Sequence, residues 1–261
     1  MSDPLFSVKD QVVFVSGGSR GIGEAIAQGF ATRGAKVIIS GREQMTIAET
    51  AARLSDTSQQ TVHPLVCDVA NPSSIAETVE RSLEQFGRID TLINVAGINR
   101  RKPATEVTEE DYDEILNINL KGAFLLSQRL GASMIERGSG CQINIASLNS
   151  DRPLKNVAPY AMSKAALESM TRSLAMEWGP KGVRVNALAP GFILTDLTRQ
   201  LWSNETMHQW GKENTPLGRL GNSEDMIGTA LFLASKAAAF LTGQTIYVDG
   251  GFTSGWAWPI D

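Results

Sequence analysis

Short runs of Val, Ile and Leu without polar interruption alternate along this chain with longer stretches in which apolar residues return every three or four positions. The first pattern predicts strands buried on both faces, the second amphipathic helices. Strands are predicted at residues 11–15, 36–40, 62–67, 91–95, 142–146, 183–189 and 245–248. Helices are predicted from residue 21 to just before Gly34, then at 43–54, 72–86, 109–136, 157–178 and 223–234. Such β-α alternation implies an α/β fold, a single-domain, Rossmann-type, doubly wound parallel sheet of about seven strands with helices on both faces. No repeat, low-complexity tract or linker divides residues 1–261, so one dinucleotide-binding catalytic domain is expected. Residues 190–220 break the alternation, and an insertion of that length is read as a lid over a substrate site.

Composition sets limits on function. With 42% hydrophobic and 20% charged residues the chain has material for a full core, and its net charge of −4 leaves no basic footprint. Nucleic acid and anionic membranes are therefore not expected as partners. No apolar run approaches the ~18 residues of a bilayer span, and the opening MSDPLFSVKD lacks the basic-then-apolar order of a secretory signal. A cytoplasmic location is expected, with free, buried thiols at Cys67 and Cys141. His63 and His208 lie far apart, so no metal centre is expected, and His63 before Pro64 reads as structural.

Candidate chemistry begins where the first strand meets the first helix, at Ser16-Gly17-Gly18-Ser19-Arg20-Gly21-Ile22-Gly23. Gly17 and Gly21 suit a tight turn close to a pyrophosphate, Gly23 suits close helix–sheet packing, and the helix start offers N–H groups and a positive dipole. The spacing is G-x-x-x-G-x-G, not the G-x-G-x-x-G of the usual dinucleotide fingerprint. The second strand ends in Ser40-Gly41-Arg42 without the carboxylate that would bind ribose hydroxyls. Arg42 and Arg20 are placed to fork onto a 2′-phosphate, so NADP(H) is favoured over NAD(H).

The helix at 157–178 carries Tyr160 and Lys164, four residues apart and so on one face. A neighbouring ammonium favours a phenolate, and lowering a phenol from about 10 by three units corresponds to roughly 4 kcal/mol. Ser147 ends the strand at 142–146, at the sheet edge where ligands sit in open α/β sheets, although a capping role would also explain it. Asn94-Val95-Ala96-Gly97 ends another strand, and Asn117 and Asn119 lie among apolar neighbours, one of them pointing to the sheet.

These motifs, in this order, resemble the short-chain dehydrogenase/reductase family over nearly the whole chain. The family's T-G-x-x-x-G-x-G turn is matched at residues 16–23 with serine for threonine, and its N-N-A-G appears without the second Asn. The resemblance implies a catalytic tetrad of Asn119, Ser147, Tyr160 and Lys164. Tyr160 would be the general acid or base, Ser147 would position the reacting oxygen, Lys164 would hold the nicotinamide ribose, and Asn119 would keep a water leading to Lys164. It further implies cofactor contacts from Gly17, Ser19, Arg20, Gly21, Ile22, Gly23, Ser40, Arg42, Asp68, Val69, Asn94, Ala96, Gly97, Tyr160, Lys164, Pro190, Gly191, Ile193 and Thr195. A homo-tetramer is implied too, with the long helices and the tail at residues 252–256 in its interfaces.

The substrate is expected to be a small molecule. Residues 96–103 place Arg100, Arg101 and Lys102 near the cleft mouth and, with residues 215–219 and 247–251, resemble gluconate 5-dehydrogenases and related sugar-acid enzymes of the family. Arg100 or Arg101 is expected to anchor a substrate carboxylate, with Ser147 and Tyr160 at the reacting carbon. The competing substrate class is a 3-oxoacyl thioester, and the competing function a non-catalytic nucleotide-binding regulator on the same fold. Trp202, Met207, His208 and Trp210 in the insertion suit either substrate, or the core.

Overall fold

In the computed structural model, which describes residues 3–196 and 198–255, nine strands form in chain order. They are β1 (Val12–Ser16), β2 (Lys36–Gly41), β3 (Val62–Val66), β4 (Thr91–Asn94), β5 (Gly140–Ile145), β6 (Val183–Pro190), β7 (Ile193–Leu194), β8 (Gly221–Asn222) and β9 (Thr245–Val248). Seven make one parallel sheet in the order β3-β2-β1-β4-β5-β6-β9, while β7 and β8 pair separately. The helices are α1 (Gly21–Ala31), α2 (Gln44–Ser58), α3 (Pro72–Phe86), α4 (Glu109–Leu116), α5 (Ala123–Arg137), α6 (Ala158–Trp178), α7 (Arg199–Trp202), α8 (Glu205–Glu213) and α9 (Ile227–Ala234). The α/β fold class and the seven-stranded sheet expected from the pattern are what the chain forms.

The two-residue period of a strand divides the core into two layers. From β1, Val13 and Val15 join one layer with Ile26 and Phe30 of α1, while Val12 and Phe14 join the other with Leu126 and Leu130 of α5. Because strand order reverses between β1 and β4, a crevice opens beyond the carboxyl ends of these two strands. Local signals set the helix ends. Asn71 accepts the Ser73 and Ser74 N–H groups at the start of α3, and Gly87, at φ +72°, stops it, so the predicted 72–86 is the observed helix.

Elsewhere the pattern misled. The predicted helix 109–136 is α4, a wide π-helical turn at Asn117–Gly122, and α5. Gly122 marks its tightest contact, since a Cβ there would lie 2.4 Å from the Val69 carbonyl oxygen. The predicted helix 223–234 starts as a 3₁₀ turn, Ser223–Met226, before α9. Residues 190–220 hold β7, α7 and α8, with β7 pinned to β8 through Ile193 and Gly221. Trp202 is buried against Phe192 and Leu220 in a separate apolar cluster. Cys67 and Cys141 are free and buried, as expected, and His63 packs edge-on against Phe86 with ring centroids 4.8 Å apart. Among the described residues no helix is long and apolar enough to cross a membrane. Trp256, the end of the tail expected to take part in oligomer contacts, lies outside the described residues.

Candidate active site

At the end of β1 the backbone turns through Gly17 at φ +79°, where a Cβ would stand 2.6 Å from the Ala96 nitrogen. Only glycine lets this turn lie directly on the end of β4. The Gly17 and Gly18 N–H groups donate to the Ser40 carbonyl oxygen at 2.9 and 3.1 Å, holding the turn against β2. A Cβ on Gly23 would lie 2.1 Å from the Gly17 oxygen, so α1 closes tightly behind the turn. No side chain caps α1, and its first residues line the crevice. The dipole and the unpaired N–H groups of a helix start are thus offered to an anion.

The crevice is a cavity of about 290 Å³. It brings together Gly17, Ser19, Arg20, Gly21, Ile22, Arg42, Asp68, Val69, Ala96 and Gly97 with Ser147, Tyr160, Lys164, Pro190, Gly191, Ile193 and Thr195. Three residues expected to contact a cofactor stand outside its lining. Gly23 lies behind the turn, in the packing role its spacing suggested. Ser40 is buried beneath the turn and contributes its carbonyl oxygen rather than its hydroxyl. Asn94 is buried too, its Nδ2 donating to Ser127 Oγ and Asn144 Oδ1, both at 2.9 Å. Its side chain therefore braces β4 against β5 and α5 and does not face a cofactor.

Asn119 sits in the π turn, also behind the crevice wall. Its Nδ2 donates to the Ile98 carbonyl oxygen at 2.9 Å and to Ser163 Oγ at 3.0 Å, while its Oδ1 accepts the Ile98 N–H at 2.8 Å. Of the two asparagines it is the one turned inward; Asn117 donates instead to the Ala70 carbonyl oxygen. The side-chain amide is spent on protein partners and fixes the loop after β4. A Cβ on Gly97 would come 3.2 Å from Asn119 Oδ1 and 3.6 Å from Lys164 Nζ, so a bare backbone separates the two.

Lys164 is 4% exposed, and its ammonium donates to the Ile145 carbonyl oxygen at 2.6 Å. Burial brings it down from 10.5 to about 8. Its Nζ lies 5.7 Å from the centre of the Tyr160 ring. Ser147 Oγ accepts the Asn149 N–H at 3.1 Å, capping the turn Leu148–Ser150, and lines the crevice beside Tyr160. Cap and site residue are one residue here. The expectation of a depressed phenol needs correction for the protein alone. Burial pushes the Tyr160 phenol up, and the Ser147 hydroxyl and the Arg101 charge only oppose that rise.

At the rim, Arg100 Nη1 meets Asp111 Oδ1 at 2.6 Å while its other Nη reaches Glu114. Lys102 also pairs with Asp111. Arg100 is therefore committed to α4, and the expected anchoring role does not fit it. Arg101, by contrast, makes no ion pair among the described residues, and its charge acts on Tyr160. Asp111 escaped notice in the sequence, although Thr108 three positions earlier forms a capping box with it. Ile98 and Ile118 also line the crevice unforeseen. So was Thr198, whose Oγ1 donates to the Ile193 oxygen at 2.6 Å and accepts the Thr195 N–H at 3.0 Å, holding Thr195 at the cavity. Arg20 and Arg42 are exposed beside Gly41 and make no ion pair among the described residues. The insertion packs Phe192 against Trp202, Trp210 and Phe252.

Comparison with known proteins bears on this arrangement. A family model described as enoyl-(acyl carrier protein) reductase matches residues 17–253. The chain is 37% identical to gluconate 5-dehydrogenase of Gluconobacter oxydans, over 97% of this chain and 99% of that one. It is 36% identical to NAD-dependent glycerol dehydrogenase of Listeria innocua, over 96% of this chain and 97% of that one. The crystal structure of a gluconate 5-dehydrogenase from Burkholderia cenocepacia, in complex with NADP and tartrate, superposes with a TM-score of 0.93 at 35% identity. That match covers 97% of this chain and 98% of the other.

Proposed function

The chain belongs to the short-chain dehydrogenase/reductase family, and from that premise we propose that it is an NADP(H)-dependent oxidoreductase interconverting the secondary alcohol and ketone of a sugar acid. The observation that carries the substrate half is Arg101, a rim cation without an ion-pair partner among the described residues whose charge reaches Tyr160. A carboxylate held by Arg101 would place a polyol chain across Ser147 and Tyr160. The Gluconobacter and Burkholderia relatives, named for gluconate 5-dehydrogenation, support the same class.

The crevice fits the cofactor at each part. The turn at Gly17 and the start of α1 would hold the pyrophosphate, Arg20 and Arg42 the 2′-phosphate, Asp68 and Val69 the adenine end, and Pro190, Gly191, Ile193 and Thr195 the nicotinamide. Bound there, NADP supplies the hydride acceptor or donor. Tyr160 gives a proton to the substrate oxygen in reduction and takes it in oxidation, while Ser147 donates to that oxygen and orients it. Lys164 adds positive charge beside the phenol, and Asn119 positions the loop after β4. Residues 190–220 act as the lid. Leu116, Leu120, Phe124, Leu174 and Trp178 of α4 to α6 line a surface groove suited to a second copy of the chain, which supports a homo-tetramer. The free thiols suit a cytoplasmic setting.

The test is to follow nicotinamide absorbance with gluconate and 5-ketogluconate, against an acetoacetyl thioester, under each cofactor. Turnover of the sugar acid with NADP(H) is the expected result. Arg101→Ala is expected to raise KM for gluconate about 10- to 100-fold, the loss of one charge-assisted bond. Arg42→Ala is expected to raise KM for NADP at least ten-fold and leave that for NAD unchanged. Turnover of the thioester alone would overturn the sugar-acid reading.

A further inference from the structure

The loop from Gly97 to Pro103 has neither helix nor strand, yet it is tied at three places. Ile98 is bonded through both its N–H and its carbonyl oxygen to the Asn119 side chain. The Lys102 N–H donates to the Asn156 carbonyl oxygen at 3.0 Å, joining this rim to the one opposite. Between these ties, the side chains at 100 and 102 both turn to Asp111. Arg101, the residue between them, makes no ion pair among the described residues.

We propose that Asp111 is a positioning residue for the acid-binding side of the site: by drawing Arg100 and Lys102 onto α4, it leaves Arg101 as the rim cation open to a substrate carboxylate. Asp111 is 4% exposed and has no role in the crevice lining, so its buried charge is explained by these two cations. They hold its carboxyl well below the usual carboxylate range, so the clamp stays ionised at any pH at which the enzyme would be assayed. The capping box with Thr108 fixes Asp111 to the first turn of α4, which makes the clamp rigid at its root.

The inference rests on the sugar-acid reading, and its test separates the two. Steady-state rates would be measured for Asp111→Asn with gluconate and with a neutral polyol of similar length. KM for gluconate is expected to rise about ten-fold, with kcat and the polyol KM within about two-fold of the parent and Asp111→Glu recovering part of the loss. Lys102→Met, a change at a half-exposed side chain that leaves the capping box intact, guards against a folding failure and is expected to give a smaller rise of about three-fold in the same KM. A parallel rise for acid and polyol, or no rise in either variant, would overturn the positioning role. If Arg101→Ala itself leaves the gluconate KM unchanged, the anchor falls first. If Arg101→Ala raises it and both Asp111→Asn and Lys102→Met do not, only the clamp falls.

Discussion

Tyr160→Phe is expected to lower kcat about 10³-fold while leaving the dissociation constant for NADPH within about two-fold. The ring keeps its packing and its place 5.7 Å from Lys164 Nζ, so the substitution removes one hydroxyl and little else. That hydroxyl is the group whose rise on burial Ser147 and the Arg101 charge oppose. Because a cation stabilises a phenolate, removing Arg101 raises the phenol further. The alkaline pH at which oxidation reaches half its maximal rate is accordingly expected to move upward in Arg101→Ala. Rates from nicotinamide absorbance and NADPH fluorescence titration check both points. A Tyr160→Phe enzyme within ten-fold of the parent kcat would remove Tyr160 from the proton-transfer role.

The second large effect runs in two directions at once. Lys164→Met is expected to cost at least 10²-fold in activity and yet raise the melting temperature at pH 7 by a few degrees. Burial takes the ammonium from 10.5 in the unfolded chain to about 8 in the folded one. Between these values the unfolded chain binds a proton that the folded chain does not, so stability rises with pH across that window. Below pH 8 the full penalty applies, about 3 kcal/mol at roughly 1.4 kcal/mol per unit. Methionine removes the buried charge but leaves the Ile145 carbonyl oxygen unpaired, a loss of about 1–2 kcal/mol. A net gain of about 1–2 kcal/mol corresponds to roughly 2–8 °C for a domain of this size. The gain should shrink as the pH approaches 10.5, where wild type no longer carries the charge. Thermal unfolding of both proteins at pH 7 and pH 10 measures this, and an unstable methionine variant at pH 7 would refute it.

How much of this was legible beforehand depended on whether a residue's partner was near in sequence. The parallel strands were readable because burial on both faces leaves runs such as Val12–Ser16 with few polar breaks. Tyr160 and Lys164 share a helix face by spacing, and Ser147 follows directly from the end of β5, so their meeting could be anticipated. Arg100 and Asn94 could not be placed this way. Arg100 is removed from the crevice by Asp111 and Glu114, eleven and fourteen residues later. Asn94 is drawn inward by Ser127 and Asn144, which become neighbours only once the sheet has formed. The phenol was misjudged for a related reason. The spacing to Lys164 was visible, but not that the ammonium would be aimed at the Ile145 oxygen inside a desolvated wall.

The wide turn at Asn117–Gly122 also bears on how the chain tolerates changes in length. A π turn accommodates one residue beyond what a regular helix would use, so the segments on either side keep about the phase of a helix one residue shorter. Here α4 keeps Asp111 at the rim and α5 keeps Leu126 and Leu130 in the core, while Asn119 in the turn reaches Ile98. Deleting one residue would close the turn into regular helix with α4 and α5 in nearly the same phase, at the cost of the bulge that turns Asn119 to Ile98. Substitution at the exposed Lys121 is compatible with all three contacts, whereas a deletion anywhere in these six positions breaks at least one. A related chain one residue shorter in this stretch would therefore keep both helices and lose the inward-turned asparagine.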